Sequence, residues 1–289
     1  MLKFYFSSLL LFLGASVVFA QHQDSLTLVS AHWTKKKIAP KTFLFSFHFE
    51  HKDLFLSNQN INYIAVKRAR RSPVPSFGYE VRELRSTSSF GEKNQAIAAI
   101  NGTFFDVKNG GSVDFLKING TIISKNKLEK NSLRAKHQQA ALVIKNQSMD
   151  IQKWDGTDSW ENEIEASDVM LSGPLLTLDS QDQLLDSTSF SKSRHPRSSI
   201  GLKPDGTLIL LTVDGRNENS AGMSLEELRK VMRWIGCKSI INLDGGGSTT
   251  LWIKNFPENG IVNYPTDNKK WDHGGERKVA NVILLKKKP

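Results

Sequence analysis

The sequence predicts an α/β fold with a mixed sheet, in which one parallel strand–helix–strand unit joins antiparallel strands in a single domain. Between residues 207 and 243, an apolar β-branched segment, a helical segment and a second apolar segment follow one another. Elsewhere, short apolar segments separated by glycine, proline and asparagine are typical of antiparallel strands. The composition, 39% hydrophobic and 24% charged over 289 residues, is that of a globular protein.

An aspartate stands at the end of each strand of this unit. The strand predicted over Thr207–Val213 leads to Asp214, and the strand predicted over Ser239–Leu243 leads to Asp244. Because a helical crossover returns the chain to the same end of a sheet, we expect the two strands to be parallel. Both aspartates would then emerge at the carboxyl edge, where open α/β sheets bind ligands. We therefore expect the two carboxylates to face one crevice.

The connecting helix carries its own start and stop signals. Ser224 and Glu227 match a capping box, in which each side chain satisfies an amide at the helix start. Gly236 can adopt the left-handed conformation that ends a helix. Between these positions, apolar side chains at three- and four-residue spacing define one face: Leu225, Leu228, Met232 and Ile235.

The remaining strands are predicted from aromatic and β-branched segments. We assign residues 21–95 to N-terminal strands of the same domain and residues 96–289 to its core. Two prolines within residues 70–76 predict a loop, because proline lacks a backbone donor. The predicted strands are Thr42–Phe49, Asn62–Lys67, Ala96–Ile100, Ala140–Ile144, Asp168–Leu171 and Val279–Leu285.

Residues 1–20 are predicted to be a signal peptide. A basic start precedes an uncharged apolar segment from Phe4 to Phe19, and small residues precede a cleavage site between Ala20 and Gln21. The apolar segment is shorter than the roughly 20 residues that a membrane span requires. We therefore expect a secreted or periplasmic protein without a stable membrane anchor. The single cysteine, Cys237, excludes a disulfide framework and is expected to pack in the core.

The formal net charge of +10 favours anionic partners. The lysines are scattered and not interleaved with aromatic residues, so nucleic acid is not an expected partner. The seven histidines are widely spread, and we predict no metal site and no cofactor. The sequence neither requires nor excludes a divalent cation.

Three consecutive glycines follow Asp244, and they have two interpretations. Asp-Gly is common in two-residue hairpin turns. However, glycine loses more chain entropy on folding than other residues, so Gly245, Gly246 and Gly247 together exceed what a turn requires. Adjacent amides can form an anion-binding nest, and Ser248 and Thr249 would add hydroxyl donors. This favours a phosphate- or sugar-binding loop. Ser248 is a poor nucleophile candidate, because no histidine partner is evident.

Several charged residues could complete a site, although each also fits an ordinary turn or salt bridge. The guanidinium group matches phosphate oxygens, so Arg197, Arg216 and Arg277 are candidate anion ligands. Glu276 is a candidate acid or base. His273, in a segment that resembles an exposed loop, is a weaker candidate base.

Six motifs together resemble the phosphodiester glycosidase family. In chain order they are Asn101-Gly102-Thr103-Phe104-Phe105, Ser172-Gly173-Pro174-Leu175, Arg194-His195-Pro196-Arg197, Asp214-Gly215-Arg216, Asn242 to Thr249 and Gly275-Glu276-Arg277. The resemblance covers residues 90 to 285. The sequence departs from it at Thr103, where the family usually has glycine, and in the long stretch Asn255–His273.

The resemblance implies hydrolysis of a glycosyl phosphate diester. The resemblance also implies that Asp214, Asp244 and Glu276 are the candidates for the acid, the base or the nucleophile. Sugar and phosphate would be held by Asn101, Arg197, Arg277 and the loop of residues 245–249.

Two functions follow from these observations. The first is an exported hydrolase that cleaves the glycosidic bond of a sugar-1-phosphodiester. The alternative is a non-catalytic protein that binds anionic envelope polysaccharide in the same pocket. A nucleic-acid-binding function would rest on the net charge alone.

Overall fold

The computed structural model of the protein describes residues 23–126 and 134–288. The predicted signal peptide and its cleavage site lie outside these ranges. None of the helices within them has the length and apolarity that a membrane span requires.

The described chain is built mainly of strands. The helices are short: α1 (residues 23–30), α2 (Thr87–Lys93), α3 (Trp160–Glu163), α4 (Ser189–Lys192) and α5 (Leu225–Trp234), with 3-10 turns at Lys136–Gln138, Gly246–Ser248 and Glu258–Gly260. The strands are β1 (Thr34–Ala39), β2 (Thr42–Leu54), β3 (Ser57–Val66), β4 (Val74–Tyr79), β5 (Ala98–Asn101), β6 (Leu116–Ile118), β7 (Thr121–Ser124), β8 (Ala140–Lys145), β9 (Ser148–Lys153), β10 (Asp168–Leu171), β11 (Leu175–Leu178), β12 (Gln181–Asp182), β13 (Arg197–Leu202), β14 (Leu208–Val213), β15 (Ser239–Asn242), β16 (Leu251–Ile253) and β17 (Asn281–Lys286).

These strands form three sheets. The eight-stranded sheet has the order β1-β2-β3-β14-β13-β15-β11-β12, so the N-terminal strands are continuous with the central ones. A five-stranded sheet has the order β7-β6-β10-β8-β9, and a four-stranded sheet has the order β16-β5-β17-β4. One apolar cluster joins all three, with Ile64 from the first sheet, Leu142 from the second and Ile100 from the third.

The prediction of a parallel strand pair is wrong. All the strand pairings described are antiparallel, and β13 lies between β14 and β15. The helical crossover therefore skips one position in the sheet, and an earlier segment of the chain fills it. Since β14 and β15 are each antiparallel to β13, they still run in the same direction and end at the same edge of the sheet.

Strand β14 has apolar side chains on both faces because both faces of the sheet are covered. Leu208 and Leu210 pack in the cluster shared by the three sheets. Ile209, Leu211 and Val213 pack in a second cluster, which lies under α5. This alternation follows from the two-residue period of a strand.

Helix α5 forms as predicted from its end signals. The Ser224 hydroxyl accepts a hydrogen bond from the Glu227 amide, and the Glu227 carboxylate accepts one from the Ser224 amide. Gly236 follows with φ of +101°. The buried face is Leu225, Leu228, Val231 and Met232. Cys237 packs in the same cluster, and burial raises the pKa of its thiol to about 12.

Candidate active site

Both strand-end aspartates lie at one edge of the eight-stranded sheet, which we call the aspartate edge. Val213, the last residue of β14, pairs with Arg197, the first residue of β13. On the other side of β13, Asn242 ends β15 and pairs with Ser199. Asp214 and Asp244 therefore leave the sheet on either side of β13, about two strand spacings, or roughly 10 Å, apart.

Asp214 is a buried carboxylate held by three donors. The side chain of Asn60 donates to Oδ2 at 2.7 Å, while the Asn263 side chain and the Tyr264 amide donate to Oδ1 at 2.8 and 3.0 Å. The residue is 1% exposed. Burial raises the pKa of Asp214, and these hydrogen bonds act in the opposite direction. Three of its roughly four acceptor sites are occupied by the protein, so it joins the segments that carry Asn60, Asn263 and Tyr264.

Asn263 links Asp214 to the glycine loop. Its Nδ2 donates both to Asp214 and, at 3.0 Å, to the carbonyl oxygen of Thr249. Its Oδ1 accepts from the amide of Leu251 at 2.8 Å. No motif indicates this residue, which lies in the long stretch Asn255–His273, where the sequence departs from the family pattern.

Asp244 is the more accessible of the two acids, being half-buried at the start of the glycine loop. Its Oδ1 accepts from the amide of Gly245 at 2.9 Å. The Ser248 hydroxyl lies beside the carboxyl group. Burial raises the pKa of Asp244, whereas Ser248, the Gly245 amide and the positive charge of Arg277 lower it. A carboxyl group in this setting is suited to proton transfer or nucleophilic attack.

The three glycines are required because protein groups approach the loop closely. A Cβ on Gly245 would lie 2.7 Å from the carbonyl oxygen of Pro196, and Gly246 has φ of +60°. A Cβ on Gly247 would lie 2.5 Å from Oδ1 of Asp267 and 2.6 Å from Nη2 of Arg277. These distances exclude any larger residue at positions 245 and 247 without rearrangement.

The predicted anion nest is not supported by the hydrogen bonds of the loop. The amides of Gly245, Gly246, Ser248 and Thr249 donate to Asp244, Pro196, Gly245 and Gly246, respectively. Only the Gly247 amide has no such bond among the described residues. An anion at this loop would therefore be bound mainly by side chains.

Two guanidinium groups lie against the loop. Arg216 is exposed, and its Nη2 would be 2.9 Å from a Cβ on Gly246. No ion pair of Arg216 is found in the part of the chain that the structure describes. Arg277 contacts Gly247 and donates through Nε to Asp267 at 2.8 Å. Among the described residues, Arg216 is therefore a cation without an ion pair at the loop, whereas the charge of Arg277 is partly neutralised by Asp267.

Two predicted substrate ligands are instead buried within the protein. Arg197 is 1% exposed and donates through Nε and Nη2 to the carbonyl oxygens of Met223, Phe190 and Ser193. Burial, reinforced by the charge of Arg216, lowers the pKa of Arg197 to about 10. Asn101 is fully buried and binds the Asp244 carbonyl oxygen, the Ser198 hydroxyl and the Thr250 amide. Asn101 therefore positions the glycine loop.

Glu276 and His273 make specific contacts away from the Asp244 carboxyl group. The Glu276 carboxylate accepts from the amide and hydroxyl of Ser88, at the start of α2, at 3.0 and 2.5 Å. Burial raises the pKa of Glu276. His273 contacts the carbonyl oxygen of Asn263 through Nδ1 at 2.7 Å and packs on Tyr264. We find no hydrogen bond from Glu276 to Asp214 or Asp244 among the described residues.

A histidine–aspartate pair near the loop was missed in the sequence. His137 Nδ1 lies 2.7 Å from Oδ2 of Asp114, which is fully buried, and the His137 ring contacts Phe104 with centroids 5.0 Å apart. Phe104 lies two residues after Gly102, whose carbonyl oxygen accepts a hydrogen bond from the Asp244 amide. His137 and Asp114 are 23 positions apart in the sequence, so no local motif indicates that they pair. An orienting carboxylate leaves Nε2 of such a histidine available for proton transfer.

Aromatic side chains border the aspartate edge. Tyr264 and Trp271 are stacked, with centroids 4.1 Å apart and planes 5° apart. On the other side, Phe190 lies between Phe104 and the Arg197 guanidinium. Within residues 23–126 and 134–288, no group of three or more histidine, cysteine, aspartate or glutamate side chains is arranged to hold a metal ion.

Comparison with known proteins assigns the family. The sequence model of the phosphodiester glycosidase family matches residues 94–286, which include all the residues of the candidate site described above except Asn60 and Ser88. The chain belongs to the phosphodiester glycosidase family.

Two curated proteins are similar to this phosphodiester glycosidase family member over part of their length. The SPbeta prophage-derived uncharacterized protein YomE of Bacillus subtilis is 31% identical over 115 residues, covering 39% of this chain and 16% of that protein. The mouse N-acetylglucosamine-1-phosphodiester alpha-N-acetylglucosaminidase is 33% identical over 90 residues, covering 30% and 16%. The aligned segments thus span about one-sixth of these relatives.

Solved structures share the fold of this family member. The catalytic domain of the zebrafish N-acetylglucosamine-1-phosphodiester alpha-N-acetylglucosaminidase, auto-inhibited by its pro-peptide, aligns with a TM-score of 0.63 at 16% identity, and the alignment covers 93% of each chain. A hypothetical protein from Synechocystis aligns with a TM-score of 0.63 at 13% identity, covering 89% of this chain and 64% of that one.

Proposed function

We propose that this protein is an exported glycosidase that hydrolyses the bond between a sugar's anomeric carbon and a phosphodiester. Family membership supports the reaction class, and the aspartate edge supports the assignment of residues. The single observation that carries the proposal is the setting of Asp244. Its half-buried carboxyl group stands at a loop against which the guanidinium groups of Arg216 and Arg277 pack.

In the proposed reaction, the two arginines bind the phosphate. A phosphodiester is a good leaving group, so stabilising its negative charge lowers the barrier without full protonation. Arg216 is the stronger candidate ligand because it is exposed and unpaired among the described residues. The partner of Arg277, Asp267, would have to share that guanidinium with the substrate.

Asp244 then acts on the anomeric carbon. A carboxylate at this point either activates a water molecule or forms a covalent glycosyl intermediate, and both routes are known for glycosidases. Asp214 is assigned a positioning role because three N–H groups already occupy its oxygens. Glu276, which binds the start of α2, is not required for this scheme.

The test is turnover of sugar-1-phosphodiesters that differ in sugar and alcohol. Purified protein should release free sugar, and Asp244→Asn should lower kcat/KM by about 100-fold or more, the usual range for a group that acts in proton transfer. Asp53→Asn, at an exposed position in β2, is the matched control and should retain full activity.

The outcome also distinguishes the alternative, non-catalytic binding of anionic polysaccharide in the same pocket. That function predicts glycan binding without product. Several equivalents of free sugar per protein molecule would exclude it, whereas equal rates for wild type and Asp244→Asn would remove Asp244 from the proposed role. Export would be tested separately, by finding mature protein that begins near Gln21 outside the cytoplasm.

A further inference from the structure

A cavity of about 530 Å³ lies at the opposite edge of the eight-stranded sheet. Leu202 at the end of β13, Leu208 at the start of β14 and Lys238 just before β15 all line it. The six residues of β14 separate this cavity from the aspartate edge, a distance of roughly 20 Å at 3.3 Å per residue. The cavity is therefore a second concave surface that the proposed reaction does not use.

Cationic side chains from separate parts of the chain converge on this cavity. We call it the cationic cavity, because the described lining contains one acid, Asp150, and five basic residues: Arg68, Arg70, Lys203, Lys238 and Lys288. Two further acids lie close by. Asp179 pairs with Lys238 at 2.7 Å, and Asp205 interacts with Lys203. Even with these neighbours, Arg68, Arg70 and Lys288 have no ion pair among the described residues, so the field in the cavity favours an anion.

The other lining groups indicate which kind of anion fits. The β8–β9 turn contributes Asn146, Gln147 and Ser148, whose amides and hydroxyl can bind sugar hydroxyl groups. The described lining contains no aromatic side chain. Proteins that bind single-stranded nucleic acid stack the bases on aromatic rings, so this lining does not suit nucleic acid. A polyhydroxylated chain with repeated negative charges matches both the cations and the amides.

We infer that the cationic cavity is a non-catalytic binding site for a polysaccharide that carries phosphate or carboxylate groups. This site goes beyond the proposed glycosidase activity and does not depend on it. If both hold, a polymer bound in the cavity would be kept close to the aspartate edge of the same molecule. Attachment at a second point raises the effective concentration of a substrate without any new contact at the catalytic residues.

The experiment compares two variants that lose the same number of charges. Arg68→Gln/Arg70→Gln/Lys203→Gln removes three cations from the cavity, and Lys35→Gln/Lys36→Gln/Lys37→Gln removes three from β1. Binding is measured by affinity electrophoresis and calorimetry with a phosphate-bearing polysaccharide, phosphomannan, and with a carboxylate-bearing one, polygalacturonate. Neutral dextran, inorganic phosphate and a single-stranded oligonucleotide are the comparison ligands, and thermal unfolding verifies that both variants are folded.

We expect the wild-type protein and the β1 variant to bind at least one anionic polymer, and the cavity variant to bind it about 10-fold more weakly. Binding should weaken with added salt, as expected for solvent-exposed charges. Hydrolysis of a small sugar-1-phosphodiester should be the same for the cavity variant and the wild type, which separates this inference from the proposed activity.

Other outcomes would overturn the inference. Equal losses in the two triple variants would mean that binding follows net charge and not the cavity. Preference for the oligonucleotide would assign the cavity to nucleic acid, and binding of inorganic phosphate alone would reduce it to a simple anion site. Loss of polymer binding in Asp244→Asn, with binding intact in the cavity variant, would place the glycan at the aspartate edge.

Discussion

The side chain of Asn263 joins the buried carboxylate of Asp214 to the loop that carries Asp244. One amide nitrogen donates to Oδ1 of Asp214 at 2.8 Å and to the Thr249 carbonyl oxygen at 3.0 Å. Both acceptors are buried, so water could not replace the Asn263 amide as their donor without rearrangement. The geometry of the glycine loop therefore depends on a residue well outside it.

Asn263→Ala should destabilise the protein and lower its activity together. The substitution leaves a buried carboxylate and a buried carbonyl each short of a donor, and a loss of about 1–3 kcal/mol in the free energy of unfolding is expected. Chemical denaturation measures it. The control is Asn58→Ala, whose side chain bonds the Lys52 amide and the Glu218 carbonyl at the surface. Equal stability of the two variants would contradict the linking role of Asn263.

The local elements could be predicted because their signals are local. The apolar segment of β14, the capping box of α5 and the positive φ of Gly236 each depend on residues a few positions apart. The parallel pairing could not be predicted correctly, because the strand between β14 and β15 comes from an earlier part of the chain. Periodicity identifies a strand but not its neighbours. Strands β14 and β15 nevertheless run in the same direction and end at the same edge of the sheet, as predicted.

The site was predicted in part for the same reason. The sequence indicated the glycine loop, the acids beside it and two candidate anion ligands, Arg216 and Arg277. It did not indicate that these arginines, Pro196 and Asp267 contact the glycines, because those contacts join separate segments of the chain. The motifs also did not indicate which of their polar side chains are buried. Arg197 and Asn101 belong to the family pattern as polar residues, yet both are enclosed and bonded to the protein.

Gly247→Ala should disturb the site through one methyl group. The new Cβ would meet the Asp267–Arg277 ion pair at about 2.5 Å, so the pair must move. Since these atoms are the ends of two flexible, partly exposed side chains, the shift should cost no more than about 1 kcal/mol in the free energy of unfolding, the lower end of the range for overpacking. We expect that loss in thermal or chemical unfolding, together with reduced turnover. Gly274→Ala is the control, since its nearest neighbour, Oδ1 of Asp272, is 3.3 Å away and at the surface. Wild-type activity in Gly247→Ala would show that the ion pair can shift harmlessly.

Arg216→Ala should weaken binding of the phosphate more than that of the sugar. A hydrogen bond to a charged group is worth about 1.5–3 kcal/mol, which corresponds to a rise of about 10- to 150-fold in the KM for a sugar-1-phosphodiester. The effect should be smaller for an uncharged aryl glycoside of the same sugar. Steady-state kinetics with both substrates tests this, and Arg233→Ala, an exposed arginine on α5, serves as the control. Equal changes in KM for both substrates would exclude phosphate recognition by Arg216.

Glu276→Gln should change how stability depends on pH. Burial raises the pKa of Glu276 above its ordinary value of 4.5, so the folded state binds the proton more tightly than the unfolded state does. The stabilisation that this group contributes is complete below the ordinary pKa and is lost as pH rises through the raised pKa. The free energy of unfolding of the wild type should therefore fall relative to that of Glu276→Gln as the pH rises above 4.5. The slope of this difference is limited to about 1.4 kcal/mol per pH unit for one proton.

Glutamine keeps an oxygen that can accept from Ser88, so the start of α2 should remain folded. Denaturant titrations at several pH values measure the difference, and parallel curves would mean that Glu276 titrates alike in the folded and unfolded chains.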